Sequence, residues 1–159
     1  MVVPDLKAHF SSLTPDELQL LSKSLDCFSN DLGTPGKRAV FNLLTLHPDY
    51  KKIWPQFRDI HDSVLMGSTE LAEFAERFML GLKGIIQAVD ASNWHQLSDL
   101  IDGITSRHSQ HGVRSQHVQN MADPFLDMLR VELGNRYDTQ TKEAWVKMFH
   151  LTTVSLAES

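Results

Sequence analysis

The chain has 159 residues, of which 42% are hydrophobic and 22% charged, and its formal net charge is -5. This balance predicts one soluble domain with a substantial core and argues against binding to nucleic acid or to an anionic membrane. Cys27 is the only cysteine, which excludes an intrachain disulfide and a cysteine-based zinc site. Because nothing resembles a signal peptide or a membrane span, we expect a cytoplasmic protein whose single domain covers residues 1–159, with 1–12 as an N-terminal extension.

Helical patterns fill the chain, and no alternating strand pattern, internal repeat or low-complexity tract interrupts them. The predicted helical segments run from Thr14 to about Phe28, Thr34 to His47, Pro48 to about Trp54, Ser68 to about Asp90, Asn93 to His108, Arg114 to Leu133 and about Asp138 onward, with a loop through Pro55 and Phe57. Pro48 cannot continue a helical hydrogen-bond ladder, so the third segment is short and separate. Pro124 predicts a kink or a broken turn inside the sixth segment.

His108 is the candidate ligand with the most informative sequence context. It ends an apolar stripe, spaced three and four residues apart, that comprises Leu97, Leu100, Ile101 and Ile104. The imidazole therefore points into the core near a helix end closed by Gly112, which is the placement that a heme iron requires of its axial ligand. A lone histidine on an apolar face is more often a core or boundary residue, so this pattern alone leaves both interpretations open.

Other chemistries have weaker support in the sequence. His108, His111 and His117 suggest a non-heme metal cluster, but the chain turns at Gly112 and no carboxylate or cysteine has matching ligand spacing. Serine, histidine and aspartate residues are plentiful but form no nucleophile motif. The remaining histidines are interpreted as surface or boundary residues; they are His9, His47, His61, His95 and His150.

Several separated motifs together resemble the globin family. In chain order these are Val40–Asp49 (the B helix running into the C helix), Trp54-Pro55-Gln56-Phe57 (the aromatic corner), Ala75, Arg77, Phe78, Met79 and Leu82 (the E helix), His108 to Val113 (the proximal motif) and Ala144-Trp145 (the last helix). The resemblance covers roughly Leu13 to Ser155 in one register. It implies an all-α globin fold of seven to eight helices around a heme pocket, with heme b as cofactor and His108 as the iron ligand.

The resemblance also implies which other side chains contact the cofactor. They are Trp54, Phe57, Phe74, Arg77, Phe78, Ile104, Arg107, Val113, Val118 and Met121. Three departures affect the mechanism: Trp54 stands where the family almost always has Phe, Phe74 occupies the distal position usually held by His or Gln, and Phe78 replaces a smaller Val. Val40, over the iron on this register, also lacks a donor, so the distal pocket is expected to be apolar and crowded.

An apolar distal pocket changes the expected ligand chemistry. Bound O2 is partly superoxide-like, and a charge-assisted hydrogen bond stabilises it by about 1.5–3 kcal/mol. Without a donor, O2 should bind weakly relative to CO. Arg77, three residues after Phe74, is the remaining candidate donor. Alternatively, its guanidinium contacts a heme propionate or lies in solvent. No histidine occurs from Ser63 to Asn93, so we expect a five-coordinate ferrous heme.

The expected function is reversible binding of O2 or another diatomic gas (CO or NO), in storage or transport, by a protein that is not an enzyme. The expected partners are heme and the gas; a homodimer is left open, and neither nucleic acid nor membrane is expected. A second hypothesis is a heme-based sensor or redox globin acting on NO, CO, sulfide or nitrite. A third is a heme-free interaction module, which His108 and the Trp54 corner argue against.

Overall fold

The computed structural model describes residues 2–158, which are helical almost throughout and contain no strand. The helices are α1 (Val3–Phe10), α2 (Pro15–Asp26), α3 (Gly33–Leu46), α4 (Pro55–Arg58), α5 (Asp62–Leu65), α6 (Thr69–Asp90), α7 (Trp94–Gln110), α8 (Ser115–Asn120), α9 (Ala122–Leu133) and α10 (Thr139–Glu158). Two 3₁₀ helices, Pro48–Ile53 and Gly134–Arg136, precede α4 and α10. The predicted all-α class is confirmed, and the described residues form ten α-helices where seven to eight were expected.

Helix α2 begins at the position that the sequence predicts, where hydrogen bonds between Thr14 and Glu17 cap its first turn. The Thr14 hydroxyl accepts a hydrogen bond from the Glu17 backbone N–H at 3.1 Å, and the Glu17 carboxylate accepts one from the Thr14 N–H at 3.0 Å. This reciprocal capping box satisfies two donors that the first turn leaves unpaired. Lys147 of α10 donates to the same carboxylate at 2.9 Å, which ties the start of α2 to α10.

The sixth predicted helix is broken, as Pro124 indicated. Met121 separates α8 from α9, and Pro124 is the third residue of α9. A proline is tolerated in this first turn because its missing N–H would have no partner within the helix. The break therefore lies three residues before the proline rather than at it.

Two segments are more structured than the sequence indicates. The expected loop around Phe57 forms two single helical turns, α4 and α5, and Phe57 itself is fully buried. The N-terminal extension 1–12 contains α1, whose Leu6 and Phe10 are fully buried and which packs against α7 and α10. Both segments gain their order from tertiary burial, which short sequence patterns do not encode.

The core is built on the crossing of α3 and α6. A Cβ added at Gly36 would lie 2.7 Å from the Met79 Cγ and 2.9 Å from the Ala75 carbonyl oxygen, so only glycine lets the two helices approach this closely. Behind α6, Phe125 packs between Trp145 and Phe149, with ring centroids 4.7 and 5.1 Å away. The glycine contact joins α3 to α6, and the aromatic contacts join α9 to α10.

A tight connection sets α7 beside α6. Ser92 adopts φ 52°, and the Asn93 N–H donates to the Ala88 carbonyl at 2.8 Å, which closes the end of α6. The Asn93 side chain then accepts from the Gln96 N–H at 3.1 Å and caps α7. Three residues join these two long helices, and α6 and α7 pack against each other.

Candidate functional site

The end of α7 explains the spacing between His108 and Gly112-Val113. The Val113 N–H donates to the His108 carbonyl at 2.8 Å, and the Gly112 N–H donates to the Ser109 carbonyl at 3.2 Å. Gly112 has φ 69°, in the left-handed region that favours glycine. These features are a Schellman motif, in which the residue after the glycine contacts the residue five positions earlier. The motif thus fixes His108 and Val113 together; α7 itself continues to Gln110, two residues beyond the predicted end.

His108 is half-buried, and its surroundings keep the ring neutral. Burial is the largest cause that lowers the pKa of His108 from 6.5 to about 4, and the nearby positive charges of Arg107, His111 and His117 contribute to the same shift. At neutral pH a ring nitrogen therefore holds an unprotonated lone pair. A neutral imidazole is the form that binds a metal.

Aromatic side chains form the other part of the site, hereafter called the aromatic wall: Trp54, Phe57, Phe74 and Phe78. The Phe74 ring lies 5.1 Å from Trp54 and 5.2 Å from Phe57, with edge-to-face geometry in both pairs. Phe78, one turn later on α6, contacts Phe125 at 6.1 Å. No member of the wall except Trp54 carries a hydrogen-bond donor, and Phe74 and Phe78 carry none at the positions that the sequence assigns to the distal side.

The apolar residues predicted as cofactor contacts lie at different depths. Ile104, Val113 and Val118 are half-buried, whereas Met121, at the joint between α8 and α9, is buried. Ile104 packs against the core one turn before His108. Their roles toward a cofactor stay predictions, as does that of the buried Val40.

The two arginines predicted at the site are both exposed. Arg77 projects from α6 to solvent, one turn after the half-buried Phe74. The Arg107 guanidinium lies along α7, where a Cβ at Gly103 would be 3.5 Å from its Nη1. The missing side chain of Gly103 therefore leaves room for Arg107 to fold back along its own helix.

The sequence did not indicate a polar contact next to the site. The buried Tyr50 hydroxyl accepts a hydrogen bond from the Asn120 side chain at 2.7 Å. Its ring stacks on His47 at 4.5 Å and meets the edge of His117 at 4.7 Å. The contact joins the 3₁₀ helix after α3 to α8. A buried tyrosine usually needs a hydrogen-bond partner, which is the only signal that the sequence offers. This signal does not identify Asn120 as the partner.

The donor set fits a flat, largely apolar iron cofactor. Helix α7 carries a neutral, half-buried imidazole, and helix α6, which packs against α7, carries half-buried aromatic rings. Large partly exposed rings such as Phe74 and Trp54 suit a planar hydrophobic group. Among residues 2–158 there is no group of three or more histidine, cysteine, aspartate or glutamate side chains placed to hold a metal ion. That finding removes support for the His108, His111 and His117 cluster within the described chain.

Comparison with known proteins assigns the family. The family described as Globin matches residues 37–155. A neuroglobin of Tetraodon nigroviridis is 22% identical, over 87% of this chain and 91% of its own, and neuroglobin-1 of Oncorhynchus mykiss is 23% identical, over 91% of each. A solved hexacoordinated heme protein from an anhydrobiotic tardigrade superposes with a TM-score of 0.81 at 22% identity, covering 92% of this chain and 94% of that one.

No helix within the described part of the chain is both long and apolar enough to cross a membrane.

Proposed function

Since the chain belongs to the globin family and is a heme-binding globin, we propose that it reversibly binds O2 or another diatomic gas on a heme b held by His108. One observation carries the proposal: a neutral, half-buried imidazole fixed by the Schellman motif shares a site with a wall of aromatic rings. When bound, the heme supplies a ferrous iron with one coordination position for the gas.

Different residues of the chain would hold the iron and line the gas side. His108 would supply the nitrogen that holds the iron, and the Val113 N–H, which donates to the His108 carbonyl, fixes the backbone at this residue. The aromatic wall lines the gas side with apolar rings. Because Phe74 and Phe78 donate no hydrogen bond, neither ring stabilises the partial negative charge of bound O2. O2 should therefore leave quickly and CO should be affected less.

We propose further that the ferrous site is five-coordinate, although the tardigrade protein is described as hexacoordinated. Helix α6 contains no histidine, so it cannot provide a second imidazole. His61, the histidine that precedes α6, is exposed, and its Nδ1 accepts from the Ser63 N–H at 3.2 Å. These positions support an open sixth site, and a ferrous absorption spectrum without added ligand tests it. A six-coordinate spectrum would contradict the proposal.

The second candidate is a heme-based sensor or redox globin for NO, CO, sulfide or nitrite. The absence of a donor at Phe74 and Phe78 favours it over bulk O2 transport, because an unstabilised O2 complex oxidises more readily. Autoxidation in air separates the two. A ferrous complex that persists for hours supports O2 storage or transport, whereas conversion to ferric iron within minutes supports the sensor or redox function.

The experiment that tests binding itself is stoichiometric heme titration of the purified chain, with Arg77→Ala as a second sample for O2 release. One heme per chain is expected. An O2 dissociation rate that is unchanged in Arg77→Ala places this guanidinium at a propionate or in solvent. A faster rate assigns it as the missing donor.

A further inference from the structure

Residues 54–65, which join the first 3₁₀ helix to α6 and are hereafter called the connecting segment, carry two of the four rings of the aromatic wall. These rings are Trp54 and Phe57, and the regular structure around them consists of the single turns α4 and α5. A helical turn of four residues is not stable by itself, because it forms too few hydrogen bonds for the backbone freedom that it loses. Contacts outside the two turns must therefore hold these rings in place.

Lys51 closes the connecting segment by contacting its far end. The Lys51 Nζ donates to the Ile60 carbonyl oxygen and, at 2.8 Å, to the Asp62 Oδ1, which lie nine and eleven residues later in the chain. The bond to Ile60 is partly buried and the bond to Asp62 is exposed. The Lys51 side chain is only 18% exposed, whereas that of Asp62 is 84% exposed. Because a lysine is rarely buried without a partner, the Ile60 carbonyl is the contact that satisfies the ammonium inside the protein.

Backbone hydrogen bonds connect this contact to the rings. The Ile60 N–H donates to the Phe57 carbonyl at 3.2 Å, and the Phe57 N–H donates to the Trp54 carbonyl at 3.0 Å. Phe57 is fully buried, and its ring lies 5.2 Å from that of Phe74, the residue that the sequence assigns to the distal position. A displacement of Ile60 therefore displaces the turn that carries Phe57.

The neighbouring Lys52 has the same charge without this contact. Its carbonyl accepts a hydrogen bond from the Arg58 Nε at 2.7 Å, but its side chain is exposed. Among the ion pairs and hydrogen bonds described for residues 2–158, none involves the Lys52 ammonium. The two adjacent lysines thus differ in whether the side chain reaches the connecting segment.

We propose that Lys51 is a positioning residue for the aromatic wall. By holding the Ile60 carbonyl, it keeps the connecting segment closed. The closed segment packs Trp54 and Phe57 against Phe74, and this packing sets how often that side of the site opens to a gas. The part of the inference that concerns the gas rests on the proposed function. A contact of this kind changes the barrier between free and bound gas and leaves both end states unaltered, so entry and exit change by the same factor.

Hydrogen exchange of the heme-loaded chain, followed by mass spectrometry, measures the opening directly. Lys51→Met keeps most of the side-chain length and removes the ammonium. Exchange across residues 54–62 should become about tenfold faster, the usual weight of one hydrogen bond to a charged group, while α9 and α10 keep their rates. Lys52→Met removes the same charge and should behave as the unaltered chain. Equal exchange in the two variants, or faster exchange throughout Lys51→Met, would overturn the proposal.

Carbon monoxide kinetics test the role toward the gas. Flash photolysis gives the CO association rate, and displacement of CO by NO gives the dissociation rate. In Lys51→Met both rates should rise together, by up to about tenfold, because passage through the open segment is proportional to its population. The CO affinity, which is their ratio, should stay constant. A change in the dissociation rate alone would assign Lys51 to stabilisation of the bound state and overturn its role in access.

Asp62 provides a variant that leaves the core untouched. Asp62→Asn removes the exposed ion pair and keeps the carbonyl contact, so exchange across residues 54–62 and both CO rates should stay within about twofold of the unaltered chain. An effect as large as that of Lys51→Met would overturn the Ile60 carbonyl as the principal contact.

The outcomes also separate this proposal from the one on which it rests. Failure of the unaltered chain to take up heme would overturn the gas-binding proposal and, with it, the role of Lys51 in access. Heme uptake with the same exchange and the same CO rates in Lys51→Met and Lys52→Met would overturn only the role of Lys51.

Discussion

Helix α7 and helix α6 contribute to the site in opposite ways. On the α7 side, a backbone hydrogen bond from Val113 fixes the His108 carbonyl, one from Gly112 fixes the Ser109 carbonyl, and the charges that act on His108 are positive. On the α6 side, rings such as Phe74 pack against one another and present no charge and no donor toward the site. The comparison indicates that the imidazole side is built for coordination with a fixed geometry, whereas the aromatic wall controls access and polarity.

The largest expected effect comes from giving the aromatic wall a donor. Phe74→Gln places an amide N–H where the distal residue lies, and a charge-assisted bond to O2 of about 1.5–3 kcal/mol should slow O2 release by roughly ten- to a hundredfold. CO release should change much less. Flash photolysis measures both rates, with Phe74→Leu as the control that changes volume without adding a donor. Equal slowing of O2 and CO would mean that access rather than hydrogen bonding was altered.

The next effect concerns acid stability on the α7 side. Burial holds the folded pKa of His108 at about 4, below its ordinary 6.5, so the unfolded chain takes up the proton first as pH falls. As the pH falls from about 6.5 toward about 4, protonation of His108 in the unfolded chain lowers the free energy of unfolding, by about 2 kcal/mol between about pH 7 and about pH 5. Above about pH 6.5 this loss is absent. Urea unfolding of the heme-free chain measures the loss. His108→Leu should remove this contribution, and the exposed His111→Leu should keep it; identical pH profiles would refute the burial argument.

A smaller effect distinguishes the two helix ends. Gly112→Ala forces a side chain into φ 69° and should lower the free energy of unfolding by about 1 kcal/mol. Ser92 already holds a side chain at φ 52° at the end of α6, so Ser92→Gly should raise stability by about 0.5 kcal/mol. Thermal melts of the two variants compare them. A destabilised Ser92→Gly would show that its left-handed conformation carries no strain.

The smallest expected effect is that of Arg77→Ala. Arg77 is exposed on α6, and a guanidinium in solvent or at a propionate leaves the bound gas untouched. The O2 dissociation rate should stay within about twofold, since a guanidinium that does not contact the bound gas does not hold it. Stopped-flow displacement of O2 by CO measures it. An increase of tenfold or more would make Arg77 the donor that the aromatic wall lacks.

The sequence predicts more of the α7 side than of the rest of the site. Helical periodicity and the glycine spacing place His108 on a core-facing stripe and end its helix, because a Schellman motif is local in the chain. The burial of α1, the single turns around Phe57 and the Tyr50–Asn120 hydrogen bond depend on contacts between segments far apart, and the last joins residues 70 positions apart. A pattern within one window of sequence does not contain such information.

The central claim is that His108 alone holds the iron and leaves the gas position open. The most direct measurement is the anaerobic ferrous absorption spectrum of the heme-loaded chain beside His108→Gly, with and without added imidazole. A five-coordinate spectrum is predicted for the unaltered chain, with loss of heme retention in the variant and its recovery when imidazole replaces the missing ring. A variant spectrum identical to that of the unaltered chain, or a six-coordinate ferrous spectrum without added ligand, would contradict the account.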